Sequence, residues 1–234
     1  MGSIFRFKQF EVDQQDCAMK INTDGILLGT LSGQNAPASI LDIGTGTGVI
    51  AMMLAQRFDQ AHVDAVEIDE AAATRAEYNF IRSPFAGRLH VFHQDISLFE
   101  PSVRYDLIVS NPPYFVNDLK SQEARKGIAR HADEAFFELL IRKVAIILTA
   151  EGLFWVILPV KQAADLMLNA VLYRLFAHKI IHLYSDENKE EFRQIICFGF
   201  GDRPVQHEKF YIYAGRGVYT DAYQHLLKDF FLAF

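Results

Sequence analysis

Short apolar runs and longer amphipathic segments follow one another along most of this chain. From Ser39 onward the apolar runs have the length of buried strands, and the segments between them have helical periodicity. This alternation predicts an α/β fold, with a mostly parallel sheet covered by helices on both faces. The predicted strands are 40–43, 63–67, 89–92, 106–110, 153–158, 179–184 and 194–200, and the predicted helices among them are 49–58, 70–82, 134–148 and 162–172.

The two ends of the chain have weaker patterns. Residues 1–15 alternate loosely and predict a short hairpin or edge strands, and Thr23 or Asp24 is the predicted N-cap of a helix that ends near Leu31. The tail from Pro204 has an aromatic stretch and a last predicted helix. We therefore divide the chain into an N-terminal extension over 1–38, which covers the ligand site, a core over 39–203, and a tail over 204–234 packed on the core.

Composition limits the classes of protein that fit. Half of the 234 residues are hydrophobic, which suits one domain of this size without support from disulfides or metal. The two cysteines, Cys17 and Cys197, form no paired motif, so we expect a reducing compartment and no metal site, with Cys17 a buried apolar side chain. No apolar run has the length of a membrane span and no signal peptide is visible, so a cytoplasmic location is expected.

A glycine-rich turn follows the first predicted strand of the core. Asp42 is followed by Gly44, Gly46 and Gly48 at alternate positions, where the backbone can turn sharply and approach a ligand. A dinucleotide-binding turn counted from Gly44 needs a third glycine where this chain has Val49. The pattern instead resembles the first motif of class I S-adenosylmethionine methyltransferases, in which the turn contacts the methionine part of the cofactor.

Two acids follow the next two strands. Glu67 ends the second strand, and its carboxylate can accept hydrogen bonds from both hydroxyls of a ribose, although a solvated strand-end acid has the same pattern. Asp95 follows the third strand. The resemblance implies that Asp95 meets the adenine amine of the cofactor and that Ile96 packs on the ring, while its position also suits a helix N-cap.

The sequence Asn111-Pro112-Pro113-Tyr114 follows the fourth strand. A nitrogen attached to an aromatic ring or a carbonyl is a poor nucleophile because its lone pair is delocalised. The Asn111 side-chain oxygen and the Pro112 carbonyl oxygen can each accept a hydrogen bond from one N–H group of such a nitrogen, which directs its lone pair to a methyl donor. Tyr114 can stack on the planar group that carries the nitrogen. A structural loop has the same tetrapeptide, but its order after the glycine turn and the two acids favours transfer of a methyl group to a planar nitrogen.

A narrower resemblance extends over nearly the whole chain. The string Lys20-Ile21-Asn22-Thr23-Asp24-Gly25-Ile26-Leu27-Leu28-Gly29, the motifs above and the tail are similar to those of bacterial tRNA-valine adenine-N6 methyltransferases. The resemblance implies a Rossmann-like class I fold with seven strands and an antiparallel last strand, and S-adenosylmethionine as methyl donor without a metal. It also implies tRNA as partner, with adenine 37 beside the anticodon as acceptor. Lys20, Thr23 and Asp24 are then expected near the methionine end of the cofactor.

A net charge of −6 is unfavourable for an RNA-binding protein unless basic residues cluster locally. The stretch from Lys120 to His131, which follows the Asn-Pro-Pro-Tyr motif, contains Lys120, Arg125, Lys126 and Arg130 against one acid, Glu123. We expect it to be a mobile loop that orders on RNA, with a second patch from Arg193, Arg203 and Arg216. A solvated charged loop is the alternative interpretation.

Other functions use parts of the same pattern. A glutamine-N5 protein methyltransferase needs the same four residues, but such enzymes usually have a larger substrate domain before the first core strand. DNA adenine methylation would need a target-recognition segment, which we do not see. Outside this class, a nucleotide-binding oxidoreductase is disfavoured because Val49 stands where its glycine-rich turn needs glycine. A non-catalytic cofactor-binding module is disfavoured because it would not need an intact Asn-Pro-Pro-Tyr sequence. No obligatory protein partner is visible in the sequence.

Overall fold

The computed structural model describes residues 4–15, 17, 20–113 and 123–234, and over 123–134 it describes the backbone. Its helices are α1 Thr23–Leu31, α2 Val49–Arg57, α3 Glu70–Arg82, α4 Glu123–Ile147, α5 Val160–Ala170 and α6 Asp221–Leu227. Its strands are β1 Ile4–Arg6, β2 Glu11–Asp13, β3 Ser39–Ile43, β4 His62–Glu67, β5 Leu89–His93, β6 Tyr105–Ser110, β7 Leu148–Leu158, β8 Leu175–Tyr184, β9 Glu191–Phe200, β10 Gln206–Tyr211, β11 Tyr213–Gly215 and β12 Val218–Tyr219.

In the described part of the chain, eight strands form the central sheet in the order β10-β8-β9-β7-β6-β3-β4-β5. Strand β9 is antiparallel to both of its neighbours, whereas the other pairs are parallel. The predicted fold class and the antiparallel seventh strand are therefore confirmed, but the predicted strand number is one too low. The additional strand, β10, lies at the sheet edge, and four of its six residues are exposed, so it lacks the apolar pattern of a buried strand.

The sheet separates two apolar clusters. One contains side chains of α1, α2 and the N- and C-terminal segments, and the other contains side chains of α4 and α5. The carboxyl ends of β3, β4, β5 and β6 lie at one edge of the sheet because these strands are parallel and adjacent. Residues that follow these four strands are thereby brought together, as expected for a ligand site of an open α/β sheet.

The N- and C-terminal segments contact each other. Strands β1 and β2 form the predicted hairpin, and Phe7 forms a bridge with Phe231 in the tail. The Lys8 side chain donates to the carbonyl of Phe234 at 2.7 Å. Strand β10 joins the tail to the central sheet through β8.

Two predicted helix starts differ from the structure. The N-cap of α1 is Asn22, whose side chain accepts from the Gly25 N–H, and not Thr23 or Asp24. Helix α4 begins at Glu123, so the expectation of a loop is wrong for residues 123–131. Glutamate, alanine, arginine and lysine favour helix in this stretch, and Gly127 alone does not end it. Among the described residues, no helix has both the length and the apolar character that a membrane span requires.

Candidate active site

A cleft of about 380 Å³ lies at the carboxyl ends of β3 to β6. It brings together most of the residues predicted to bind the cofactor or the acceptor. Those that line it are Gly44, Gly46, Glu67, Asp95, Ile96, Asn111, Pro112 and Pro113. Its volume lies in the range of small-molecule and cofactor sites.

The glycine turn forms one wall of the cleft. The N–H of Gly44 donates to the Val66 carbonyl at 2.8 Å, which holds the turn against the end of β4. Gly44 and Gly46 have φ angles of 73° and 58°, in the left-handed region that favours glycine. A Cβ at either position would meet nothing within 4 Å, so both face open space in which a ligand can approach the backbone.

Glu67 is held in place from two sides. Its Oε2 accepts from the Gly46 N–H at 2.8 Å, and its Oε1 accepts from the Asp69 N–H at 2.9 Å. The side chain is only 8% exposed although it lines the cleft, so it is not a solvated strand-end acid. A carboxylate has about four acceptor positions, so Glu67 can still accept from the two hydroxyls of a ribose.

Asp42 and Gly48 support the turn from beneath and are not among the residues that line the cleft. Asp42 is fully buried, and its Oδ2 accepts from the Thr45 hydroxyl at 2.6 Å. Gly48 has a φ of 84° and precedes α2, and a Cβ there would overlap the Phe80 ring. Glycine is therefore required at 48 by packing as well as by backbone conformation.

Burial raises the pKa of the Asp42 carboxyl from its ordinary value of 3.8 to about 7. Because the protonated form is favoured in the folded protein, this contribution to stability is complete below about pH 4 and is lost as the pH rises through about 7. We expect the wild-type free energy of unfolding to fall between pH 5 and pH 8 by on the order of a few kcal/mol more than that of Asp42→Asn. Urea unfolding at the two pH values measures this difference.

The control for the Asp42→Asn variant is Asp59→Asn, which changes an exposed aspartate just after α2. It should follow the wild-type pH dependence. Parallel pH dependence of wild type and Asp42→Asn would contradict this account of Asp42.

The segment after β5 contributes the second acid. The Asp95 Oδ1 accepts from the Ser97 N–H at 2.8 Å, while the half-buried carboxylate lines the cleft. Ile96 is buried and also lines the cleft. The Asp95 side chain thus caps a local turn and faces the ligand space at the same time, so the two interpretations of this residue are compatible.

The Asn-Pro-Pro segment begins directly at the end of β6. The Ser110 hydroxyl donates to the Ile43 carbonyl at 3.0 Å, which connects β6 to the start of the glycine turn. A Cβ on Gly25 would lie 3.6 Å from the Asn111 Nδ2, so the N-terminal turn of α1 packs on the amide nitrogen. Pro112 is buried, Pro113 is exposed, and Tyr114 lies outside the described residues.

Lys20, Thr23 and Asp24 are not among the residues that line the cleft. Lys20 and Thr23 are exposed. Asp24 forms an ion pair with Arg193, with 2.9 Å between Oδ2 and Nε. The roles expected for these residues, and for Arg193 in RNA binding, stay predictions.

The other basic residues are divided among separate places. Lys120 lies outside the described residues, and Arg125, Lys126 and Arg130 lie in the first turns of α4, where only the backbone is described. Arg203 follows β9, whose antiparallel direction takes it to the sheet edge opposite the cleft. Arg216 lies between β11 and β12. The prediction of a second basic patch that contains Arg193, Arg203 and Arg216 is therefore wrong, because the direction of β9 separates Arg193 from Arg203.

Sequence reasoning missed several residues of the cleft, among them Cys17, Ile68, Asp69, Gln94, Phe136 and Leu139. Three of them adjoin Glu67 or Asp95 in sequence and could have been found from those acids. Phe136 and Leu139 line the cleft because of the way α4 packs on the sheet, which no local sequence pattern indicates. Cys17 is half-buried and is not the buried apolar residue expected, because it lines the cleft.

The chain is similar in sequence to known methyltransferases. The sequence profile of the methyltransferase small domain family matches residues 20–179. A tRNA1(Val) (adenine(37)-N6)-methyltransferase of Pedobacter heparinus is 60% identical over 234 residues, which is 100% of both chains. One of Bacteroides thetaiotaomicron is 38% identical, with 97% of each chain covered.

Solved methyltransferase structures share the fold. A predicted O-methyltransferase of Agrobacterium tumefaciens has a TM-score of 0.69 at 20% identity, covering 88% of this chain and 96% of that one. A ribosomal protein L11 methylase of Lactobacillus delbrueckii has a TM-score of 0.59 at 16% identity, covering 82% and 84%. The family resemblance inferred from the sequence is confirmed: this chain belongs to the tRNA1(Val) (adenine(37)-N6)-methyltransferases, within the methyltransferase small domain family.

Proposed function

We propose that this protein transfers the methyl group of S-adenosylmethionine to the N6 atom of adenine 37 in tRNA1(Val), acting in the cytoplasm. The observation that supports this most strongly is the single cleft that holds the glycine turn, Glu67, Asp95 and the Asn-Pro-Pro segment. A methyltransferase must bind the cofactor and the acceptor nitrogen next to each other, and residues suited to bind each of them line this one cavity. The 60% identical relative of Pedobacter heparinus, which bears this name, supports the choice of acceptor.

The residues of the cleft fit this cofactor. The open space beside Gly44 and Gly46 suits the methionine part, and the buried Glu67 carboxylate suits the ribose hydroxyls. Ile96 and the exposed Ile68 offer apolar contact for the adenine ring, and Asp95 offers an acceptor for the ring amine. When bound, S-adenosylmethionine supplies a methyl group made electrophilic by the sulfonium.

The chain itself positions the acceptor. The Asn111 amide nitrogen packs beside α1, which favours the amide oxygen as the end that faces an acceptor amine. The Pro112 carbonyl is the second acceptor, and a proline has no N–H that would compete for a hydrogen bond. Alignment of donor and acceptor can lower the barrier by roughly 7–11 kcal/mol. The Asn111 amide is not a base, so the extra proton of the methylated amine leaves to water.

The acceptor is tested with radiolabelled S-adenosylmethionine and four parallel substrates. These are tRNA1(Val) that lacks the modification, the same tRNA with guanosine at position 37, free release factor and plasmid DNA. We expect label only on the first, recovered as N6-methyladenosine after digestion to nucleosides. Label on the release factor alone would support a glutamine methyltransferase and overturn the proposal, and label that persists with guanosine 37 would overturn the position.

A further inference from the structure

Helix α3 connects three separate parts of the cofactor cleft. At its N-terminus, its N-cap residue Asp69 donates its N–H to the Glu67 carboxylate. Near its C-terminus, Asn79 bonds to the glycine turn and to the end of β2. Between them, Arg75 forms an ion pair with Asp13 of β2. Helix α3 and its N-cap residue thus contact Glu67, the glycine turn and the end of β2.

Both the oxygen and the nitrogen of the Asn79 side-chain amide form hydrogen bonds in these contacts. Its Oδ1 accepts from the Asp13 N–H at 2.9 Å, and its Nδ2 donates to the Asp13 carbonyl at 3.0 Å and to the Thr47 carbonyl at 2.9 Å. The residue is only 3% exposed. Because Thr47 lies between Gly46 and Gly48, this bond fixes the peptide that completes the turn. No other side chain of this size has an acceptor and a double donor in the same geometry.

The Arg75–Asp13 pair holds the end of β2, directly before Gln14, Gln15 and Cys17, which we call the Cys17 segment. The Arg75 Nη1 lies 2.8 Å from the Asp13 Oδ2, and the two side chains are 20% and 14% exposed. The Asp13 Oδ1 accepts from the Gln15 N–H, and the Gln14 Oε1 accepts from the Ile21 N–H at 2.7 Å. These bonds determine how the chain leaves β2, and Cys17 in this segment contributes to the cleft wall.

We propose that Asn79 and the Arg75–Asp13 ion pair are positioning residues for cofactor binding, which set the glycine turn and the Cys17 segment at the spacing that the cofactor needs. The inference rests on the proposed function, because it takes the cleft to bind S-adenosylmethionine. None of the three residues is among those that line the cleft, so they act through Thr47 and the Cys17 segment. Their loss should weaken cofactor binding, while Asn111 and Pro112 still align the acceptor.

The chain offers a closely matched pair of variants. Arg75 and Arg82 both lie on α3 and both place their guanidinium over the Tyr78 ring, at 5.4 and 5.2 Å from its centroid. Of the two, Arg75 forms the ion pair with Asp13. Arg75→Met therefore removes the ion pair and a ring contact, whereas Arg82→Met removes a similar ring contact and leaves the ion pair in place.

Cys17 supplies a readout that global stability does not mimic. The chain has two cysteines, and burial raises the pKa of the Cys197 thiol to about 12, which makes it unreactive. Cys17 lines the cleft, so a bound cofactor should protect it from alkylation. The alkylation rate of the folded protein, with and without S-adenosylhomocysteine, then reports the position of this segment.

The experiment measures S-adenosylhomocysteine affinity by calorimetry, Cys17 alkylation, and kcat and KM on the full chain, well below the melting temperature of each variant. We expect Arg75→Met to raise the Kd by about tenfold, the scale of one hydrogen bond to a charged group. Its KM for the cofactor should rise in parallel and kcat should change less than about twofold. Arg75→Lys should recover part of the affinity, and Asn79→Asp and Asp13→Asn should also weaken binding and lessen the protection of Cys17.

The positioning role would be overturned if Arg75→Met and Asp13→Asn had the same Kd as Arg82→Met and the wild type, even if their melting temperatures fell. A purely structural role changes stability and leaves the Kd unchanged. A lower kcat with unchanged Kd would overturn it as well. If the wild-type protein failed to bind S-adenosylhomocysteine, and Cys17 were not protected, the proposed function would fail too. The two failures are thus distinguishable.

Discussion

Replacement of Asn111 by alanine is expected to lower kcat by about 100- to 1000-fold, the scale observed when one polar group aligned with the reacting atoms is removed. The affinity for S-adenosylhomocysteine should stay within about twofold of wild type. In the proposed mechanism the Asn111 oxygen orients the lone pair of the acceptor nitrogen, whereas the glycine turn, Glu67 and Asp95, which line the same cleft, hold the cofactor. Single-turnover methylation of tRNA and calorimetry measure the two quantities separately.

Asn35→Ala is a suitable control for Asn111→Ala, because Asn35 is an exposed asparagine between α1 and β3, away from the cleft lining. It should have wild-type kcat and affinity. If Asn111→Ala lost cofactor binding together with turnover, Asn111 would be a structural residue that supports the packing of α1 on the cleft. Full retention of kcat would contradict its role in alignment.

The second large effect is expected at Glu67. Glu67→Ala should raise the Kd for S-adenosylhomocysteine by at least about 100-fold, because hydrogen bonds to a charged group contribute roughly 1.5–3 kcal/mol each. The variant loses the proposed acceptors for the ribose hydroxyls and leaves the Gly46 and Asp69 N–H groups without their carboxylate. Calorimetry with the variant and with Glu70→Ala, which changes the exposed neighbouring acid at the start of α3, measures the effect.

An analogue of S-adenosylhomocysteine without the two ribose hydroxyls separates the two causes. The wild-type protein should discriminate strongly against this analogue, and Glu67→Ala should bind both compounds with similar, weak affinity. Discrimination that persists in Glu67→Ala would mean that another group recognises the ribose and that Glu67 only supports the turn.

Most of the fold follows from local sequence signals. Helix α3 has the predicted bounds because Asp69 caps it and Ala73, Ala76 and Phe80 form one apolar face. The glycine turn is predictable because positive φ angles select glycine at fixed positions. The acids and the Asn-Pro-Pro segment are predictable because each follows a buried strand, and adjacent parallel strands bring their ends together.

The features that the sequence did not predict depend on contacts between distant parts of the chain. The Asp24–Arg193 ion pair joins residues 169 positions apart, and no local pattern indicates it. Strand β10 exists because β8 offers an edge with which it can pair. Likewise, Asp13 is held by Arg75 and Asn79 on a helix that begins more than fifty residues later, and no local pattern indicates that Cys17 lines the cleft.

In the proposed mechanism, one cleft presents a planar amine to the cofactor between an amide oxygen and a peptide oxygen. A crystal structure of the protein with S-adenosylhomocysteine and the anticodon stem-loop of tRNA1(Val) tests it directly. The expected structure has the N6 atom of adenine 37 within about 3.2 Å of both the Asn111 Oδ1 and the Pro112 carbonyl oxygen. An adenine amine bound in another cavity, or turned away from residues 111 and 112, would contradict the claim.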